Sequence, residues 1–314
     1  MHLVIFIPAY NEEQTLPIAF NALPKKISGV ERISTLVVND GSTDKTVDVA
    51  KSLKATKIVS FKSNQGLAKV FQAGLAQAVT MGADITVMFD ADNQYSANSI
   101  PQLIQPILTE KADIVVGARP IKNIAHFSTL KKLLQKTGSL VVRKVSGLDI
   151  PDAPSGFRAY SHEAALKLVV VSDFTYTLET LIQAKNKGLT VRHVPIKVNK
   201  EQLRKSRLFK NNFQYIKRSI DTIFRIYFMY NAFKVLRRLG VLAFVIATII
   251  SIRFLYFFFA ATSGQYVGHI QSLILAAILF IIGSFLIIFS FMADMIQNNR
   301  KYIEEILYNQ RKNQ

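Results

Sequence analysis

The sequence contains no cysteine, which excludes disulfide scaffolds, cysteine-ligated zinc, iron–sulfur clusters and thiol nucleophiles. Acidic residues are also scarce: 21 Asp and Glu stand against 39 Lys and Arg, a formal charge of +18. The opening residues Met1-His2-Leu3 lack the basic and long apolar regions of a secretory signal, so the N-terminal half is expected in the cytoplasm. No G-x-G-x-x-G follows an apolar run and no G-x-x-x-x-G-K-[ST] occurs, so neither a dinucleotide site nor a P-loop is supported. A G-x-S-x-G nucleophile elbow is missing too. His2, His126, His162, His193 and His269 are far apart and read as surface or structural residues.

What is present in quantity is apolar side chain and positive charge. Half of the 314 residues are hydrophobic and the mean hydropathy is +0.22, which excludes a largely disordered chain. Net charge is +7 over residues 1–199, +9 over residues 200–239 and +2 over residues 240–314. Basic charge concentrated in forty residues points to an anionic surface, either membrane headgroups or nucleic acid. No zinc finger, RNP motif or basic heptad pattern supports nucleic acid, which is not expected as a partner.

The segment after the basic run favours the membrane. Val241–Ala261 and Leu273–Ala293 are apolar with few exceptions, and about twenty helical residues cross a hydrocarbon core of roughly 30 Å. Thr262–Ser272 has no Lys or Arg, whereas Lys234, Arg237 and Arg238 precede the first span and Arg300 and Lys301 follow the second. The positive-inside bias places both termini and the N-terminal domain in the cytoplasm, in a multi-pass protein of the cell membrane. Arg253 lies inside the first span, as a snorkelling side chain or a functional partner. Phe213, Ile216, Ile220, Ile223, Phe224, Tyr227 and Phe228 recur at helical spacing, with Lys217, Arg218, Asp221 and Arg225 on the other face. That pattern suits an interfacial helix on an anionic leaflet, or a helix packed on the soluble domain.

Residues 1–199 alternate short β-rich runs with helical patterns. Candidate strands are Leu3–Ile7, Thr35–Asn39, Lys57–Ser60, Ile85–Phe89 and Ile114–Val116, separated by helical stretches such as Asp44–Lys54 and Gly66–Met81. Almost wholly apolar strands indicate a sheet covered on both faces, hence an α/β domain with a mostly parallel sheet. Ligands of such sheets bind beyond the carboxyl ends of the strands, and polar clusters stand there: Pro8-Ala9-Tyr10-Asn11-Glu12, Asp40-Gly41-Ser42-Thr43-Asp44 and Asp90-Ala91-Asp92-Asn93-Gln94. In extended backbone Asp90, Asp92 and Gln94 point to one side. Such oxygen donors suit Mg²⁺ or Mn²⁺ bridging to substrate phosphates; the bland alternative is a turn-forming acidic cluster.

These clusters, in order with Asn64-Gln65-Gly66 and Ser155-Gly156-Phe157-Arg158, resemble family 2 glycosyltransferases of the GT-A fold. Within that family the similarity is greatest to dolichyl-phosphate mannose synthases and bacterial polyprenyl-phosphate glycosyltransferases. It covers about residues 1–210 and implies a Rossmann-like GT-A domain at 1–208, juxtamembrane helices at 209–239, a two-helix transmembrane domain at 240–296 and a cytoplasmic tail at 297–314. It further implies that Pro8, Tyr10 and Glu12 border the nucleotide of a sugar donor, that Asp40 accepts a hydrogen bond from the base, and that Asp90, Ala91 and Asp92 meet the diphosphate. Asp90 and Asp92, assisted by Gln94, would hold the metal. Arg119 matches a basic residue near the phosphates and Lys136 a second, where many relatives carry arginine. Arg204, Lys205, Ser206 and Arg207 resemble a loop that folds over the donor, with a solvated or lipid-facing role open for Arg204 and Arg207. The implied reaction is inverting sugar transfer from a UDP- or GDP-sugar to a polyprenyl phosphate. A glycolipid or polysaccharide acceptor, and an inactive membrane-anchored nucleotide-sugar-binding protein, are the alternatives. A hydroxyl acceptor would need a base, for which Asp152 and Glu179 are the candidates. The oligomeric state stays open, a homo-oligomer included.

Overall fold

A computed structural model describes residues 1–120, 139–140, 142–143, 146–171, 176–199, 212–260 and 270–313. Seven strands form one sheet: β1 (His2–Ala9), β2 (Arg32–Asn39), β3 (Lys57–Ser60), β4 (Ile85–Met88), β5 (Ile114–Ala118), β6 (Arg158–Ser161) and β7 (Val191–Pro195). Their spatial order is β3-β2-β1-β4-β6-β5-β7. Every pairing is parallel except those of β6, which runs antiparallel to both β4 and β5. The carboxyl ends of β1, β2, β4, β5 and β7 therefore share an edge with the start of β6. Ala9 is in register with Asn39, and Met88 with Arg158.

Successive residues of a strand point to opposite faces, and here each face has its own core. Val4 and Phe6 of β1 join Leu36, Val38, Met88 and Val116 in one cluster, while Leu3, Ile5 and Ile7 join Val37, Val87 and Val115 in the other. Helices α1 (Leu16–Asn21), α2 (Thr46–Ser52), α3 (Leu67–Thr80) and α4 (Ile100–Glu110) follow the early strands, and α5 (His162–Lys167) and α6 (Tyr176–Asn186) the later ones. Val70, Phe71 and Leu75 of α3 cover the first face with α5 and α6, and Leu16, Ala50 and Leu103 of α1, α2 and α4 cover the second. Burial on both faces explains why the strands read as unbroken apolar runs.

Two long helices complete the chain, α7 (Asn212–Ala260) and α8 (Ile270–Lys312). Residues 212–239 of the expected juxtamembrane region and 241–260 of the expected first span are helical in α7, 209–211 and 261 lying outside the described residues, and residues 297–312 are helical in α8. The stretches Tyr227–Phe259 and Ile270–Lys312 are long and apolar enough to cross a membrane, and only 11% of the most apolar window of each is buried. Exposure of that kind separates them from buried core helices and is the pattern of a membrane protein.

The chain divides into two compact units, Met1–Ile226 with Ile306–Gln314, and Tyr227–Glu305. In the second unit, small residues let the helices approach. A Cβ added at Gly240 would lie 2.8 Å from Ile287 Cγ1 and 3.0 Å from the Gly283 carbonyl, and Ala247, Ala276 and Ser290 are buried. In the first unit the C-terminal residues dock on α5. Tyr308 donates from its hydroxyl to Glu163 at 3.1 Å, and Arg311 Nη1 donates to the carbonyls of Leu166 (3.1 Å) and Leu168 (3.0 Å). Those carbonyls close a helix whose own N-cap, Ser161, accepts the Ala164 N–H.

Candidate active site

Asp40 follows β2 directly, and its carboxylate reaches the start of α3. Oδ1 accepts the Gln65 N–H at 2.7 Å and Oδ2 the Gly66 N–H at 3.0 Å. Burial pushes the Asp40 carboxyl above its ordinary value, against the lowering effect of those two N–H groups. The next residue must be glycine. Gly41 has φ +69°, and a Cβ there would sit 2.4 Å from the Ser63 carbonyl carbon.

The loop after β1 is tied to the loop after β2. Asn11 N–H donates to Ser42 Oγ at 2.9 Å, Thr43 N–H returns to Asn11 Oδ1 at 2.8 Å, and Glu12 N–H donates to Thr46 Oγ1 at 2.8 Å. Glu12 is buried and its carboxylate accepts from the Thr15 hydroxyl. Pro8 is half-buried and Tyr10 is exposed at the rim.

Asp90 and Asp92 leave β4 at the same edge, both half-buried, with Ala91 buried between them. Asp92 Oδ1 accepts the Gln94 N–H at 3.0 Å across Asn93, whose φ is +59°. Among the described residues no three His, Cys, Asp or Glu side chains converge on one point. Residues 91–93 form a turn instead of the expected extended backbone, so strand alternation does not place Asp90, Asp92 and Gln94 on one side. Carboxylate oxygens are still the donors that Mg²⁺ or Mn²⁺ takes, since those ions complete their shells with water and substrate phosphate oxygens. Room is kept on this side by Gly156, where an added Cβ would lie 3.5 Å from Asp90 Oδ2 and 2.8 Å from the Tyr176 hydroxyl.

Arg119, one residue beyond β5, is held by Asp152. Nε donates to Oδ2 at 2.7 Å, Nη2 to Oδ1 at 2.9 Å and the Arg119 backbone N–H to Oδ2 at 3.1 Å. The side chains are 6% and 1% exposed, so this pair is withdrawn from solvent. Tyr95 is buried near Arg119, Asp90, Asp152 and Asp92, and burial pushes its phenol up to about 12. Glu179 is fully buried, its Oε1 accepting from the Val171 N–H (3.0 Å) and Gln183 Nε2 (3.0 Å).

Pro8, Tyr10, Glu12, Asp40, Asp90, Ala91, Asp92, Gln94, Arg119 and Asp152 thus gather at one edge of the sheet. Lys136, Arg204, Lys205, Ser206 and Arg207 lie outside the described residues. Glu179 is buried in α6. Sequence reasoning passed over Tyr95, Gly156 as the neighbour of Asp90, Tyr176 and Asn199. Tyr95 adjoins the acidic motif and was within reach of a spacing argument; Asn199 has no local signal.

The family model for glycosyl transferase family 2 matches residues 4–169. The chain belongs to glycosyl transferase family 2. This family 2 chain is a glycosyltransferase with a GT-A domain followed by two apolar helices. It is 32% identical over 219 residues to the UDP-N-acetylglucosamine–dolichyl-phosphate N-acetylglucosaminyltransferase of Methanococcus voltae, covering 62% of this chain and 84% of that one. With the undecaprenyl-phosphate mannosyltransferase of Micrococcus luteus it shares 27% identity over 218 residues, 66% and 88% of the two chains. Among solved structures, the glucosyl-3-phosphoglycerate synthase of Mycobacterium tuberculosis, in complex with Mn²⁺, UDP-glucose and phosphoglyceric acid, superposes with a TM-score of 0.57 at 21% identity, over 72% of this chain and 79% of that one. At that identity the likeness speaks for the fold alone.

Proposed function

We propose that this glycosyltransferase moves a sugar from a UDP- or GDP-sugar to a polyprenyl phosphate, with inversion, at the cytoplasmic face of the cell membrane. The observation that carries the reading is the gathering of Asp40, Asp90, Asp92 and Arg119 at the carboxyl edge of one sheet, in a chain with two spans. The names of the archaeal and bacterial relatives support the lipid-phosphate acceptor. The UDP-N-acetylglucosamine in the name of the archaeal relative supports a nucleotide-sugar donor.

In this reading Asp40 accepts from the base, and Pro8, Tyr10 and Glu12 border the nucleoside. Asp90 and Asp92, with Gln94, would hold Mg²⁺ or Mn²⁺, which would neutralise charge growing on the leaving diphosphate. Arg119, its charge offset and its orientation fixed by Asp152, would contribute guanidinium N–H donors on the same side, with Lys136 and Arg204 as further candidates. The bond between the anomeric carbon and the diphosphate oxygen breaks with its electron pair on that oxygen. An acceptor phosphate oxygen bonds to the opposite face of the carbon.

A phosphate acceptor is anionic near neutral pH and needs little base catalysis. That agrees with the state of the two base candidates. Glu179 is buried in hydrogen bonds and Asp152 is spent on Arg119, so we read Asp152 as the carboxylate that orients Arg119.

Membranes carrying the protein, given labelled UDP- and GDP-sugars with undecaprenyl or dolichyl phosphate, should yield label in the organic phase as a mild-acid-labile lipid. Asp92→Ala should abolish this while membrane insertion persists. Label confined to the aqueous phase, or full transfer by the variant, overturns the reading. For the membrane face, protease added outside sealed cells should spare residues 1–235.

A further inference from the structure

The hydrogen bonds of Asn199, four residues past the end of β7, converge on the loop that carries the acidic pair. Its backbone N–H donates to the Gln94 carbonyl at 3.1 Å. Its side-chain Nδ2 donates to the carbonyls of Asn93 (3.0 Å) and Tyr95 (3.2 Å) and lies 3.0 Å from Asn93 Oδ1. Around it, Val198 bridges Tyr95 in antiparallel fashion and Ser96 N–H donates to the Lys197 carbonyl at 3.3 Å. Segment 197–199 is thereby laid along residues 93–96, about a hundred positions earlier in sequence.

The loop needs such support. Asn93 has φ +59°, a left-handed conformation that costs a residue with a Cβ, asparagine less than most. That turn lets Asp92 Oδ1 accept the Gln94 N–H, and so it sets the direction of the Asp92 carboxylate relative to Gln94. A carboxyl-terminal strand with no polar side chain at position 199 would supply the backbone bond to Gln94 and leave the carbonyls of Asn93 and Tyr95 without this donor. The amide matters chemically as well. Three oxygen acceptors face Nδ2, so an aspartate there would set acceptor against acceptor and add negative charge beside Asp92.

We propose that Asn199 is a positioning residue, which locks the loop Asp90–Gln94 in the shape that receives the metal and diphosphate of the donor. This rests on the donor-site reading above. The residue touches no reacting atom; it acts through Asn93 and Tyr95.

The test uses the full-length protein in detergent, with Asn199→Asp, equal in size but stripped of donors, and Asn199→Ala. Hydrogen exchange of the amides of residues 92–96, measured without ligand, should quicken on the order of tenfold in both variants, as expected for a loop losing net-stabilising bonds. Calorimetric affinity for UDP or GDP with Mn²⁺ should weaken roughly tenfold, more in Asn199→Asp than in Asn199→Ala. Raised Mn²⁺ should restore much of the transfer rate, with the KM for lipid acceptor and the thermal midpoint unchanged. Parental Mn²⁺–nucleotide affinity in both variants overturns the proposal, as does a loss that only tracks a lowered thermal midpoint. Failure of the unmodified protein to bind nucleotide with Mn²⁺ instead sinks the donor-site reading, and this proposal falls with it.

Discussion

Arg119 and Asp152, thirty-three residues apart, meet through three hydrogen bonds, two from the guanidinium and one from the Arg119 backbone, in a pair almost closed to water. Breaking one side of such a buried pair costs about 3–5 kcal/mol. Asp152→Ala should therefore lower stability by that order and reduce transfer. Arg119→Ala with Asp152→Ala should be no worse than the more damaging single change. Denaturant unfolding and kinetics of the four proteins close the cycle. If Asp152 acted as a base, its removal would cost further transfer in the Arg119→Ala background, and the double variant would be worse than either single change.

Gly156 sits where any side chain meets the Tyr176 hydroxyl. That hydroxyl belongs to a ring stacked on Phe71 at 4.1 Å, so it has little freedom to retreat. Gly156→Ala should lower transfer by roughly a hundredfold, the scale set by an ångström of misplacement at a reacting centre. Tyr176→Phe removes the colliding oxygen and should restore much of the activity of Gly156→Ala. Steady-state rates of the two single variants and the double variant check both statements.

Asp40 carries the pH signature. Its carboxyl is raised in the folded protein, so burial of the ionised form opposes folding. The protonated form's extra stability is present below the ordinary carboxylate pKa and is lost as pH rises through the raised one. If Asp40 accepts from the base as proposed, donor binding needs the opposite state, the ionised acceptor. On acidification, nucleotide affinity should fall at a pH above the usual aspartate range, while Asp40→Asn should bind weakly with no such inflection. Calorimetry across that interval, with thermal melts of the unliganded protein, would show both slopes. A nucleotide affinity flat down to the ordinary aspartate pKa would refute the assignment.

Gly240 and Gly283 fix the helix crossing in the second unit, where their added Cβ atoms would meet the facing backbone at 3.0 and 3.1 Å. Gly240→Leu should destabilise that pair by at least about 1–3 kcal/mol, the usual cost of overpacking. Thermal unfolding in detergent should show it, with nucleotide binding intact.

Much of this architecture was readable in advance where the signal is local. The five apolar runs became β1 to β5 because both sheet faces are covered, and the polar clusters closing the first, second and fourth runs share one edge because those strands are parallel. β6 escaped notice because it is four residues, Arg-Ala-Tyr-Ser, and its burial comes from neighbours on both sides. Asn199 and the Arg119–Asp152 pair escaped for the same reason, since each contact joins residues distant in sequence. Hydropathy changes near 240 and 296, but both long helices run continuously through these positions, because helical hydrogen bonding continues past the point where hydropathy falls.

Residues 306–314, which cap the carbonyls at the end of α5, belong to the same unit as the sheet. The ribosome delivers them after both apolar helices, whereas the strands are available from early in synthesis. The unit that bears the acidic pair is thus joined by residues made after both apolar helices. Halting translation shortly after the second apolar stretch would leave Leu166 and Leu168 without their guanidinium and Glu163 without its phenol.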